Sequence, residues 1–206
     1  MPRAHLQEIL AKYIPTKAVY IIADWIIEHR IKIKITKSRS TKLGDYRPPF
    51  NGTEQLITIN YDLNKYSFLI TLVHELAHLK AWQKHKNKAL PHGVEWKNEY
   101  KYLMSFFLHN AIFPADVNKA LAKYMGNPAA ASCSDINLLR ILRKYNKRDT
   151  GIIHLEEAPD NCVFKLESGR VFKKGEKRRT RYLCSEVSTK RIYTVSSLAE
   201  VVVLED

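Results

Sequence analysis

His74-Glu75-Leu76-Ala77-His78 lies within residues 64–86, a stretch whose Leu69, Leu72, Val73, Leu76, Ala77 and Ala81 recur at helical spacing. On a helix, a spacing of four brings the two imidazoles to one face, one turn apart, where both can bind a single ion. Glu75 projects beside that face, within reach of a water on the ion. The pattern fits hydrolysis by a zinc-activated water. In a chain of this composition it would arise by chance about 0.02 times, so coincidence is a weak explanation. It also constrains the fold, because a catalytic zinc takes three protein ligands and keeps one position for water, and the third must come from another element.

The extended metzincin pattern would need glycine and histidine where Ala81 and Lys84 stand, so that class is excluded. His85 shares the helical face, but seven residues of helix put it about 10 Å along the axis from His78, too far for the same ion. It is expected to be exposed or to pack. His92 is the preferred third ligand, because it follows a break at Pro91 and starts the next helix, so an antiparallel turn could return it to the metal. Glu95 and Glu99 on that second helix are the alternatives, as ligands or as acceptors for a ligand imidazole.

Around this centre the spacing predicts two opening helices, one ending at Pro15 and one over residues 16–29. Residues 31–37 alternate Ile with Lys and predict a strand with a positive outer face. A turn over 43–46 enters a second strand, and residues 55–61 alternate again as a third. Further helices are expected over 94–110 (Trp96, Tyr100, Leu103, Met104, Phe107), after Pro114, and over 136–144, with a loop at 126–134. Beyond 150 the pattern changes to short strand-like runs at 163–165, 170–172, 179–184, 191–195 and 201–204. Two domains are therefore expected, 1–150 and 151–206, in an α+β fold.

The 206 residues carry a formal charge of +13, which favours polyanionic partners. Residues 1–150 hold 24 basic and 12 acidic side chains, so most of the excess lies there and not in a basic tail. A local patch over 165–191 nevertheless contains Lys173, Lys174, Lys177, Arg178, Arg179 and Arg181, expected on a basic hairpin that could contact phosphates. Phe164, Phe172, Tyr182 and Tyr193 are its aromatic neighbours, read chiefly as core and otherwise as base-stacking groups. Three cysteines (Cys133, Cys162, Cys184) do not form a disulfide framework, and neither a leader nor a membrane span is apparent. The expected location is the cytoplasm, with the nucleoid as the site of any DNA association.

His74 to His78 followed by Pro91-His92-Gly93-Val94-Glu95-Trp96-Lys97 resembles the SprT-like family of zinc metallopeptidase domains, which includes the Spartan proteases that digest proteins crosslinked to DNA. Thr41-Lys42-Leu43-Gly44-Asp45-Tyr46, Leu56-Ile57-Thr58-Ile59-Asn60 and Ile112-Phe113-Pro114 also look like family elements, so the resemblance covers most of residues 5–145. It implies a zincin-like, minimal gluzincin-type domain with a small sheet and one catalytic Zn2+. By the same resemblance His74, His78 and His92 are ligands, Glu75 is the base, Trp96 packs the second helix, and the substrate is protein. The strand at 56–61 is expected to line the cleft edge and hold an extended substrate by strand addition.

Bacterial members typically end in a zinc ribbon with two C-x-x-C pairs. Here Cys162-Val163-Phe164-Lys165 and Cys184-Ser185-Glu186-Val187 each lack one cysteine, so a zinc-ribbon-like β module without a complete metal site is expected. The reading from another class is a nucleic-acid-binding protein whose zinc site is structural or vestigial.

Overall fold

The computed structural model describes residues 2–39, 41–129, 135–146 and 151–204. Cys133 and most of the loop expected at 126–134 lie outside the described residues. The fold is α+β and divides into two units, Met1–Asn146 and Lys147–Asp206. Among the described residues no helix is long and apolar enough to cross a membrane.

The first unit opens with α1 (Arg3–Tyr13) and α2 (Val19–Glu28), separated at Pro15 and a short 3-10 turn. A three-stranded sheet follows, made of β1 (Lys32–Thr36), β2 (Gly44–Arg47) and β3 (Leu56–Asn60). Four helices complete the unit: α3 (Lys65–His85), α4 (Val94–Leu108), α5 (Ala115–Tyr124) and α6 (Ile136–Arg143). Asn64 caps α3, its Oδ1 accepting from the backbone N–H groups of Tyr66 at 3.1 Å and Ser67 at 2.9 Å. Such a cap contributes about 1 kcal/mol. Every residue of α3 from 67 to 77 is buried, as befits a helix surrounded on all sides. The six apolar positions expected to face the core do so, and their neighbours are covered as well. His85, beyond this segment, is exposed. In α4 the expected stripe of Trp96, Tyr100, Leu103, Met104 and Phe107 is buried.

The sheet corrects one expectation. Its order is β1-β3-β2, with β3 parallel to β1 and antiparallel to β2. Residues 56–60 therefore have both edges hydrogen-bonded and cannot accept an added strand. The open strand beside α3 is β2: its Gly44 comes so close to Thr71 and Glu75 that a Cβ there would meet Glu75 Oε1 at 2.7 Å.

The second unit is one six-stranded antiparallel sheet, larger than the hairpins of a ribbon. It contains β4 (Ile152–His154), β5 (Val163–Leu166), β6 (Val171–Arg178), β7 (Arg181–Glu186), β8 (Ile192–Ser196) and β9 (Glu200–Leu204), in the order β4-β9-β5-β6-β7-β8. The three-residue β4 has no sequence signature of its own; it is held by β9, nearly fifty residues away. Phe164, Phe172 and Tyr182 lie in the core of this unit together with Cys184 and Val195, so these aromatics are packing groups and offer no face to a base.

Cys162 and Cys184 are free thiols on either side of β6. Lys174 of β6 is the cross-strand partner of Cys184, and its N–H donates to Cys162 O at 2.9 Å. Two strand spacings, about 10 Å, separate the cysteines, which is beyond the Cα range of a disulfide. Between them sits Lys174 itself, 2% exposed. Its Nζ donates to Ala158 O at 2.6 Å, pairs with Asp160 at 3.2 Å and lies 4.6 Å from the Tyr182 ring centroid. Lys174 is thus a buried tie and not part of an exposed basic surface, whereas Lys173, Lys177, Arg178, Arg179 and Arg181 are exposed. Because Lys174→Met keeps the apolar stem but strands the Ala158 carbonyl, it is expected to lower the stability of this unit by about 1–2 kcal/mol. Chemical denaturation followed through this unit's tyrosines measures the change; an unaltered midpoint would show that the ammonium contributes nothing.

Candidate metal centre

Two of the three imidazoles come from the middle of α3, where His74 is buried and His78 is partly so. The third arrives on a four-residue turn, residues 90–93, closed by Gly93 N–H donating to Leu90 O at 2.9 Å. Pro91 occupies its second position and His92, at φ 59°, its third, the pattern of a type II turn. His92 therefore stands in the turn before α4, for which Gly93 is the N-cap, and not in the helix. A Cβ on Gly93 would lie 3.0 Å from Leu90 O, so a larger residue after His92 would press on the turn.

The Nε2 atoms converge: 3.2 Å between His74 and His78, 3.0 Å between His78 and His92, and 3.3 Å between His74 and His92. Three nitrogens bound to one zinc at about 2.0–2.1 Å in tetrahedral directions stand about 3.3 Å apart. The residues fit that ion, and among the described residues no fourth His, Cys, Asp or Glu joins them. Trp96, one turn into α4, forms a common wall, its ring centroid 4.6, 5.3 and 4.7 Å from those of His74, His78 and His92. Its Nε1 donates to His74 O at 3.4 Å, linking α4 to the ligand-bearing turn of α3. Of the alternative ligands, Glu99 is engaged by Lys84 at 2.5 Å, and Glu95 folds back over Gly93. Among the described residues His74, His78 and His92 form the one group of three or more His, Cys, Asp or Glu side chains able to hold a metal.

Electrostatics favour the ligating form. Burial, then the neighbouring His78 and His92, hold His74 down to about 2; burial and His92 hold His78 down to about 4; burial lowers His92. All three are neutral at pH 7, as metal binding requires. Glu75, the next residue of α3, is 5% exposed. Burial and the charge of Asp45 push its carboxyl up to about 8, while the Tyr46 backbone N–H, Lys42 and Arg39 oppose the rise. A dication nearby would favour its ionised form.

Gly44 stands within the element at 41–46, but no spacing assigned it a role of its own. A glycine within a strand marks a close backbone approach, and this one admits the Glu75 side chain against β2. The comparisons with protein-family models, curated proteins and solved structures find no match. The chemistry is therefore argued from the residues themselves.

Two outcomes follow, the first for the metal-free protein. Below pH 6.5 the unfolded chain binds protons on three histidines that the folded state keeps neutral, so stability falls as the pH drops towards 4, with Glu75 offsetting part of the loss. Between 6.5 and 8 the unfolded chain has already lost the Glu75 proton that the folded state retains, so stability falls as the pH rises. Melting curves should peak near pH 6.5, and Glu75→Gln should remove the alkaline decline; a decline unchanged in that variant would refute the assignment to Glu75. Second, Gly44→Ala should displace the Glu75 carboxyl while leaving the three imidazoles in place. Zinc content by elemental analysis should then equal that of the parent, and a loss of bound metal would contradict the packing.

Proposed function

We propose that the chain is a zinc-dependent endopeptidase of the SprT-like kind, with a zincin-like first unit. The observation that carries this reading is the convergence of three neutral imidazole nitrogens at 3.0–3.3 Å with a buried carboxyl on the residue after the first ligand. A closed structural site would take a fourth protein ligand and would have no use for Glu75. Zinc held by His74, His78 and His92 supplies Lewis acidity and lowers the pKa of water.

The protein's own groups do the rest. Glu75 takes the proton of the attacking water on its carboxylate and delivers it to the leaving nitrogen. Trp96 keeps the three ligand rings in register. The free edge of β2, apart from the Tyr46 N–H that faces Glu75, offers backbone groups to an extended polypeptide, and Leu90 and Val94, largely exposed on either side of His92, offer apolar contact to its side chains. A protein substrate suits an open strand edge better than a small molecule does, since small-molecule sites are concave and enclosing.

Glu75→Gln tests the reading. The variant should bind one zinc per chain as the parent does and lose at least about 10²-fold in turnover on an unfolded protein substrate. Turnover equal to the parent's, or a parent that binds no zinc, would sink the proposal. His92→Ala should lower zinc affinity as well as activity, which separates a ligand from a base.

A further inference from the structure

Buried polar groups without a hydrogen-bond partner are rare in folded proteins, and two of them stand one turn apart on α3. Thr71 Oγ1 and His74 Nδ1 are each shielded from solvent and make no hydrogen bond. The residues are 0% and 3% exposed. For Nε2 of His74 to be the ligand atom beside those of His78 and His92, the proton of the neutral ring must sit on Nδ1, which makes that nitrogen a donor. His78 and His92 are partly exposed, and neither carries a buried, unpartnered nitrogen. Of the three ligands, His74 alone has a donor that must be satisfied from within the protein.

Few groups can accept it. A helical side chain lies back over the turn before it, so the His74 ring covers Ile70 and Thr71. The Ile70 carbonyl already takes the backbone N–H of His74 within the helix and the Tyr100 hydroxyl at 3.4 Å. The rings of Trp96 and Tyr100 flank His74 at 4.6 and 5.4 Å. The indole N–H only donates, and the phenol is turned to Ile70. Thr71 remains: its hydroxyl can accept, and residues three apart on a helix have Cβ atoms about 5–6 Å from each other. Its methyl is the branch that faces β2, 2.8 Å from where a Cβ on Gly44 would stand, which leaves the hydroxyl on another side of its Cβ.

We propose that Thr71 is a positioning residue of the metal centre: its hydroxyl accepts the Nδ1–H of His74 in the zinc-loaded protein and so fixes the tautomer that presents Nε2. The two groups are not joined in this structure, and torsion of the two side chains is enough to join them once coordination sets the ring. A partner on the outer nitrogen of a ligand imidazole orients the ring and raises its basicity. A buried hydroxyl with no partner costs stability, so this threonine is accounted for by the loaded state and not by the fold. The inference rests on the zinc centre of the proposed peptidase and is independent of its turnover.

The experiment measures zinc affinity of the full chain by competition with a chromogenic chelator, for the parent, Thr71→Val, Thr71→Ser and Tyr100→Phe, together with melting of the metal-free forms. Valine keeps the shape of the side chain and removes an unpaired polar atom, so metal-free Thr71→Val should melt no lower than the parent. The same variant should bind zinc about 10–100-fold more weakly. Thr71→Ser, which keeps the hydroxyl, and Tyr100→Phe should bind within about threefold of the parent. In proton spectra of the zinc-loaded protein, the His74 Nδ1 proton should move upfield in Thr71→Val as its hydrogen bond is lost. Unchanged zinc affinity in Thr71→Val, an equal loss in Thr71→Ser, a loss in Tyr100→Phe in its place, or a metal-free Thr71→Val that melts well below the parent would each overturn the proposal. A parent that binds no zinc would discard the centre itself, whereas a zinc-loaded parent without peptidase activity, with Thr71→Val still weak, would keep Thr71 and discard the enzyme.

Discussion

Neutral imidazole nitrogens held within 3.3 Å of one another are the condition on which the rest of the N-terminal unit depends. Charged, they would repel; neutral, they are lone pairs aimed at a common point, which suits a cation. Burial of α3 over residues 67–77 provides that neutrality. The apolar surroundings that let the helix pass through the middle of the unit also make a proton on His74 costly. The same burial acts on Glu75 in the opposite chemical sense, retaining its proton in the metal-free protein. A dication would resolve both tensions at once, since it would accept the nitrogen lone pairs and favour the carboxylate.

The two elements that complete the centre are turns and edges and not further helix. A type II turn with Pro91 and His92 in its middle positions returns a nitrogen to α3, and Gly93 and Gly44 are small because backbone or Glu75 occupies the space a side chain would need. One sheet then serves two surfaces. Its inner face and free β2 edge stand beside Glu75, and its outer face carries Lys32, Lys34 and Arg47. Period-two alternation makes this division, because adjacent residues of a strand point to opposite sides.

In the C-terminal unit an ammonium lies between the two thiols. Lys174 reaches from β6 to Ala158 and Asp160, joining the sheet to the segment before β5. A lysine can tie two elements with a charge-assisted hydrogen bond of known direction, whereas two cysteines two strands apart can neither bridge nor enclose an ion.

The sequence by itself determined the helix that carries His74, Glu75 and His78, the break at Pro91 that precedes His92, and the buried stripe of α4. Each is encoded within a few residues by helical periodicity or by turn chemistry. Tertiary structure decided what depends on contacts between distant segments. That His92 joins His74 and His78 while Glu99 is held by Lys84 depends on how α3 and α4 pack. The free edge passed from residues 56–60 to β2 because strand order is set by pairing partners and not by alternation within a strand. Strand β4 exists only through β9, and Lys174, one cation among many in a basic run, is buried because its β-sheet face is fixed by register. Local patterns say what a segment can become; which of its faces is covered is settled by whatever packs against it.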